Sequence, residues 1–119
     1  MYLFGASGHG KVIKDILNAN GVDVLAYVDD NETMNECYGL KVLHDASGLS
    51  PMIVSVGVNA VRKKIVERLM NCTPNIKFGT AIHPSAVISP SAKIGEGTVV
   101  MAGAVINANA VIGCHCIVN

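Results

Sequence analysis

The chain has 119 residues, half of them hydrophobic and only 15% charged, with a formal net charge of zero. That balance, with no basic stripe, argues against nucleic-acid binding through phosphate neutralisation, and the lack of Trp with only two Phe leaves little material for base-stacking platforms. No apolar run is long enough to span a bilayer, and the four cysteines have no disulfide-framework spacing, so a cytoplasmic protein without membrane insertion is expected.

In chain order, Met1-Tyr2-Leu3-Phe4-Gly5 reads directly as a strand and turn, with no charged leader or cleavage site before it. Residues 9–19 place Val12, Ile13, Ile16 and Leu17 at helical spacing, and Asn20-Gly21 stops the run. A second strand is expected over 23–28, ending at Asp29-Asp30, followed by a polar loop over 31–37 and a short strand at Leu40–Leu43. Residues 52–56 are buried-strand material ended by Gly57. Residues 59–70 read as an amphipathic helix with Val61, Ile65, Val66, Leu69 and Met70 inward. Arg62, Lys63, Lys64, Glu67 and Arg68 cover the rest. This order predicts a small open parallel sheet with helices packed on it, and 75–81 links it to the C-terminal third of the chain.

From His83 the grammar changes. Ile82, Ile88, Ile94, Val100, Ile106, Ile112 and Val118 fall on a six-residue grid, and small side chains stand four positions after the first six: Ala86, Ala92, Thr98, Ala104, Ala110 and Cys116. That period fits neither a helix nor a flat strand; it is the hexapeptide repeat of a parallel β-helix. Pro84 and Pro90 suit its corners. Cys114-His115-Cys116 is not read as a metal site. Cys116 occupies an inward slot, and three successive strand residues cannot all face one way.

Gly5-Ala6-Ser7-Gly8-His9-Gly10 lies between the first strand and the first helix. Glycines permit a tight turn and close approach of a ligand, and a helix N-terminus suits phosphate. The spacing is G-x-x-G-x-G rather than the common dinucleotide G-x-G-x-x-G. Asp29, 19 residues past Gly10, sits where an acid grips a ribose in such sheets. A second turn, Val56-Gly57-Val58-Asn59, should end a neighbouring strand on the same sheet edge. Asn59 is either a ligand contact or a helix cap, and Arg62 either reaches a phosphate or is a solvated cation. His44 and His83 have no visible partners.

The loop, Val28-Asp29-Asp30, residues 57–65 and Ile82-His83-Pro84-Ser85-Ala86 together resemble bacterial sugar O- and N-acyltransferases of the sialic-acid O-acetyltransferase and UDP-4-amino-sugar N-acetyltransferase type. The resemblance covers essentially the whole chain. It implies an α/β fold: a Rossmann-like nucleotide-sugar-binding domain over 1–80, then the first coils of a left-handed parallel β-helix over 81–119. It also implies a UDP-sugar substrate, acetyl-CoA as co-substrate with no metal, and a homotrimer at full length. Carried over by residue, Ser7, Gly8 and His9 contact phosphates or sugar, Asp29 and Asp30 hold the nucleoside, and Gly57 lines the pocket; Asn59 and Arg62 match the pattern around that turn. The family's basic histidine, with its adjacent carboxylate, is expected beyond Asn119, and His115 does not match it. The chain is therefore expected to be the N-terminal part of an acetyltransferase, able to bind nucleotide-sugar but not to turn it over, with a bare last coil that frays or self-associates. The alternatives are a nucleotide-sugar-binding and trimerisation module without chemistry, and an NAD-dependent oxidoreductase. Against the latter stand the glycine spacing and the lack of a catalytic Tyr-Lys pair.

Overall fold

Short apolar strands alternating with two helices build the first part of a chain whose 119 residues are all described by a computed structural model. Five strands form one sheet: β1 (Tyr2–Phe4), β2 (Ala26–Val28), β3 (Glu36–Cys37), β4 (Leu40–Leu43) and β5 (Met52–Val54), in the order β3-β4-β2-β1-β5. All neighbours are parallel except β3 with β4. The polar loop expected over 31–37 thus ends in a two-residue antiparallel edge strand. Its partner residues, Lys41 opposite Glu36 and Leu40 opposite Cys37, lie beyond a tight turn at Tyr38-Gly39, where both residues have positive φ.

Alternation along β1 divides the core. Leu3 joins Ile13, Ile16 and Leu17 of helix α1 (Gly8–Ala19) on one face, while Phe4 joins Val66 and Leu69 of helix α2 (Asn59–Cys72) on the other. The helices therefore cover opposite faces. Three residues expected to point inward do not: Val12, Val61 and Met70 are exposed. A helix on a small sheet buries a narrow stripe, and these positions lie at its margins. Arg62 reverses the other way and is only 8% exposed.

The link is more than a connector. Met52 N–H donates to Lys77 O and Gly79 N–H to Met52 O, so Phe78 adds a parallel bridge beside β5. Next come seven two-residue strands, β6 (Ala81–Ile82), β7 (Val87–Ile88), β8 (Lys93–Ile94), β9 (Val99–Val100), β10 (Val105–Ile106), β11 (Val111–Ile112) and β12 (Ile117–Val118). They stack in parallel as three separate ladders: β6-β9-β12, β7-β10 and β8-β11, with Val105 opposite Val87 and Val111 opposite Lys93. Eighteen residues, for example Ala81 to Val99, return the chain to the same side. Val100, Ala104 and Ile106 are buried between the ladders, with Ile82, Ile88, Ile94 and Ile112 packed on them. The grid residues are this interior.

The outward residues differ by side. Ala81 and Val99 belong to the same cluster as α1, and Asn20 Nδ2 donates to Ile82 O at 2.7 Å. On the other two sides Val87, Val105 and Val111 are exposed. No helix is long and apolar enough to cross a membrane.

Candidate functional site

β1 and β5 are neighbours, yet the helices that come after them lie on opposite faces of the sheet. Such a point of divergence opens a crevice beyond the carboxyl ends of the strands, where ligands of open α/β sheets bind. The Gly5–Gly10 loop leaves β1 there, and Ser55 to Asn59 leaves β5.

The glycines of the loop divide by what surrounds them. Gly5 has φ +121, in the region that favours glycine. A Cβ on Gly10 would stand 2.5 Å from Gly5 O and 2.9 Å from the Tyr27 ring, whose hydroxyl donates to Gly10 O at 3.0 Å. These two serve packing. Gly8 and Gly57 face open space, so only there does the missing side chain leave room for a ligand. Ser55 Oγ ties the strand ends together, within 3.0 Å of Phe4 O and 2.7 Å of Gly5 O.

The helix start is unsatisfied. Ser7 occupies the N-cap in an extended conformation with no side-chain cap bond, and the first helical donation is Lys11 N–H to Ser7 O. The amides of residues 7–10 find no protein acceptor. Those of 58–61, at the start of α2, find none either. Two sets of free N–H groups and two positive dipole ends thus flank one crevice, an arrangement suited to an anionic group.

The expected acids take separate positions. Asp29 accepts from Ala6 N–H at 3.0 Å and Asn31 N–H at 2.9 Å, so its carboxylate buttresses the loop. Asp30 points elsewhere, into a two-bond pair with Arg68 at 2.9 and 3.0 Å. Arg68, read from the sequence as a solvent-facing cation, also lies over the Phe4 ring.

A cleft of about 400 Å³ is lined by His9, Gly57, Asn59, Met101, Ile117 and Asn119. It brings three of the expected site residues together from both turns and sets them against the coil. His9 Nε2 is buried without a partner, which in a folded protein calls for a water or ligand atom. Burial, with the Arg62 guanidinium nearby, holds the His9 imidazole below its ordinary 6.5. A second hollow, of about 290 Å³, adjoins it along α2 and includes Asn59, Lys63, Glu67 and His115.

Arg62 neither projects into the cleft nor faces solvent. Its guanidinium donates to Val56 O, Gly57 O, Asn59 Oδ1 and His115 O. Asn59 accordingly spends its side-chain oxygen on Arg62. His115, to which the sequence assigned no chemistry, sits at a coil corner with φ +55 and packs edge-on against Phe78 at 4.5 Å. Burial first, and Arg62 second, lower its imidazole, while Glu96 opposes them. No local sequence signal announces either contact, since the partners are 37 to 53 positions apart. His44 Nε2 meets Met34 O at 2.8 Å, and His83 Nδ1 meets Ser85 Oγ at 2.8 Å.

Residues 1–69 match the family described as the PglD N-terminal domain. A UDP-N-acetylbacillosamine N-acetyltransferase of Bacillus subtilis (strain 168) is 45% identical over 96 residues, covering 72% of this chain and 44% of the relative. An uncharacterised protein of Acanthamoeba polyphaga mimivirus is 32% identical over 98 residues, covering 74% of this chain and 19% of that protein. Among solved structures, a histidine-to-asparagine mutant of perosamine N-acetyltransferase from Caulobacter crescentus, in complex with CoA and GDP-perosamine, has a TM-score of 0.89 at 38% identity. The match covers 99% of this chain and 59% of that one. The acetyltransferase domain of PglB from Neisseria gonorrhoeae, in complex with acetyl coenzyme A, has a TM-score of 0.85 at 36% identity, covering 99% and 60%. The chain spans 44% of the length of the B. subtilis relative and about three fifths of these two structures.

Proposed function

The chain belongs to the PglD N-terminal domain family, and on that premise we propose that it is the nucleotide-sugar-binding part of an acetyl-CoA-dependent sugar N-acetyltransferase acting on a UDP-linked amino sugar. The observation that carries this reading is the crevice between β1 and β5, where two helix starts present free amides beside an unpartnered His9 Nε2. Ser7, Gly8 and His9 take the diphosphate and the sugar's near edge. Gly57 and Asn59 form the opposite wall. Asp29 holds the loop through Ala6 and turns its remaining lone pairs to the nucleoside, while Asp30 steadies that turn through Arg68. UDP is chosen over GDP because the relative whose name carries a UDP-sugar is 45% identical and the one bound to GDP-perosamine 38%.

Residues 1–80 form the nucleotide-sugar domain and 81–119 the first coils of a left-handed β-helix. Three copies associate through its outer faces, where Val87, Val105 and Val111 are exposed, and acetyl-CoA binds between them. In the reaction the sugar amine attacks the thioester carbonyl, a base removes the amine proton, and CoA leaves as the thiol. A well-placed base contributes about 10²–10⁴-fold, and positioning supplies most of the remainder. None of the four histidines here bonds to a carboxylate. The base is therefore assigned to a part of the enzyme outside these residues, and this chain alone binds without turnover.

Calorimetric titration of the chain with UDP, GDP and NADH in turn tests the reading. UDP binding, with GDP weaker and NADH silent, is the expected result. Binding of NADH alone, or acetyl-CoA turnover by this chain, contradicts it.

A further inference from the structure

Four contacts converge on one side chain that the nucleotide reading leaves without a task. Arg62 is buried, yet it sits on a helix whose neighbouring cations Lys63 and Lys64 are exposed. Its Nη1 donates to Val56 O at 2.9 Å and Gly57 O at 3.3 Å, and its Nη2 to Asn59 Oδ1. These bonds gather the β5–α2 turn, which is one wall of the cleft. Its Nε donates to His115 O at 2.8 Å, across 53 residues, to a corner of the coil. A planar guanidinium fixes four acceptors in one geometry, and an ammonium cannot.

Three further observations show that this corner is held tightly. His115 N–H donates to Glu96 O, its ring packs on Phe78, and a Cβ on Gly97 would collide with that ring. The coil end of the Arg62 bond is therefore rigid, and so is the frame behind Met101 and Ile117, which line the cleft opposite Gly57 and Asn59.

We infer that Arg62 is a positioning residue: it sets the Gly57–Asn59 wall of the cleft at a fixed distance from the coil, and acts on a bound nucleotide-sugar through that wall without touching it. The inference rests on the nucleotide-sugar reading. Its charge has a second consequence: after burial, which is the larger cause, the Arg62 guanidinium also lowers the His9 imidazole.

The test compares R62K, R62Q and L69V in the 119-residue chain. Leu69 is buried on the same helix and lines neither hollow, so L69V serves as a control that loses stability alone. UDP affinity is measured by calorimetry, stability by urea unfolding, and the His9 titration and the Gly57 and Asn59 amide positions by NMR. R62K is expected to bind UDP about tenfold more weakly, because a charge-assisted fork is reduced to one or two bonds. L69V should bind UDP as wild type does. In R62Q the His9 titration should move upward as the neighbouring charge is lost, an effect that a merely structural role would not produce. R62K with wild-type affinity, or affinity losses that track stability equally in R62K and L69V, overturns the inference. If the wild-type chain binds neither UDP nor GDP, the nucleotide reading fails. NMR then decides the inference alone: unmoved Gly57 and Asn59 amides in R62K sink it, and shifts there together with His115 sustain it.

Discussion

The two halves of the molecule solve the same packing problem in different ways. In the α/β half a central strand such as β1 serves two cores at once, Leu3 on one face and Phe4 on the other. In the coil each rung fills its own section of interior, and Val100 meets only the rungs next to it. Backbone exceptions divide in the same way. Those of the α/β half include Gly5 at the crevice, while those of the coil recur every six residues at Gly97, Gly103, Asn109 and His115. A networked half can present an irregular, preorganised site, whereas a repeating half presents a regular frame against which the site is held.

The contrast can be broken or sharpened by substitution. Gly10→Ala should be the most damaging, at about 3 kcal/mol by urea unfolding, because the added methyl meets fixed backbone. Gly8→Ala, two residues away in open space, should leave stability within about 1 kcal/mol and weaken only UDP binding. In the coil, Gly97→Ala combines a left-handed backbone with a collision against His115 and should cost about 3 kcal/mol. Gly103→Ala has the backbone strain alone and should cost about 1 kcal/mol. Equal losses at Gly97 and Gly103 would show that the corner at His115 is not tight. Val100→Ala should cost about 2 kcal/mol and loosen amide-exchange protection in adjacent rungs, leaving α1 and β2 protected.

Smaller effects come from charge. The imidazoles of His9 and His115 are both held below 6.5, chiefly by burial. Below that pH the unfolded chain takes up protons that the folded chain resists, so the stability these two groups contribute should be intact just above pH 6.5 and decline as pH falls through and below it. An acid-side decline already under way above pH 6.5 would contradict the assignment. Asp30→Asn should cost under about 1 kcal/mol, since its pair with Arg68 is exposed.

Much of this was legible in the sequence. Periodicity exposed both helices and every rung, because each repeats a pattern several times over, and short apolar runs exposed four of the five sheet strands. The Gly5–Gly10 turn was legible through glycine chemistry. A two-residue edge strand such as Glu36–Cys37 has no period to read, and its pairing depends on the turn at Tyr38-Gly39. Arg62 was illegible for a different reason. Charge on a helix reads as a solvated face, and only the folded chain brings Val56 O, Gly57 O and His115 O within its reach. Asp29 and Asp30 read as one acidic pair; folding turns one to the loop and the other to α2.

Amide chemical-shift mapping of the isotope-labelled chain during titration with UDP addresses the nucleotide crevice most directly. Shifts concentrated at residues 7–10 and 57–61, with Val87, Val105 and Val111 unmoved, are the expected result. Shifts confined to the coil, or none at millimolar UDP, would contradict a nucleotide site between β1 and β5.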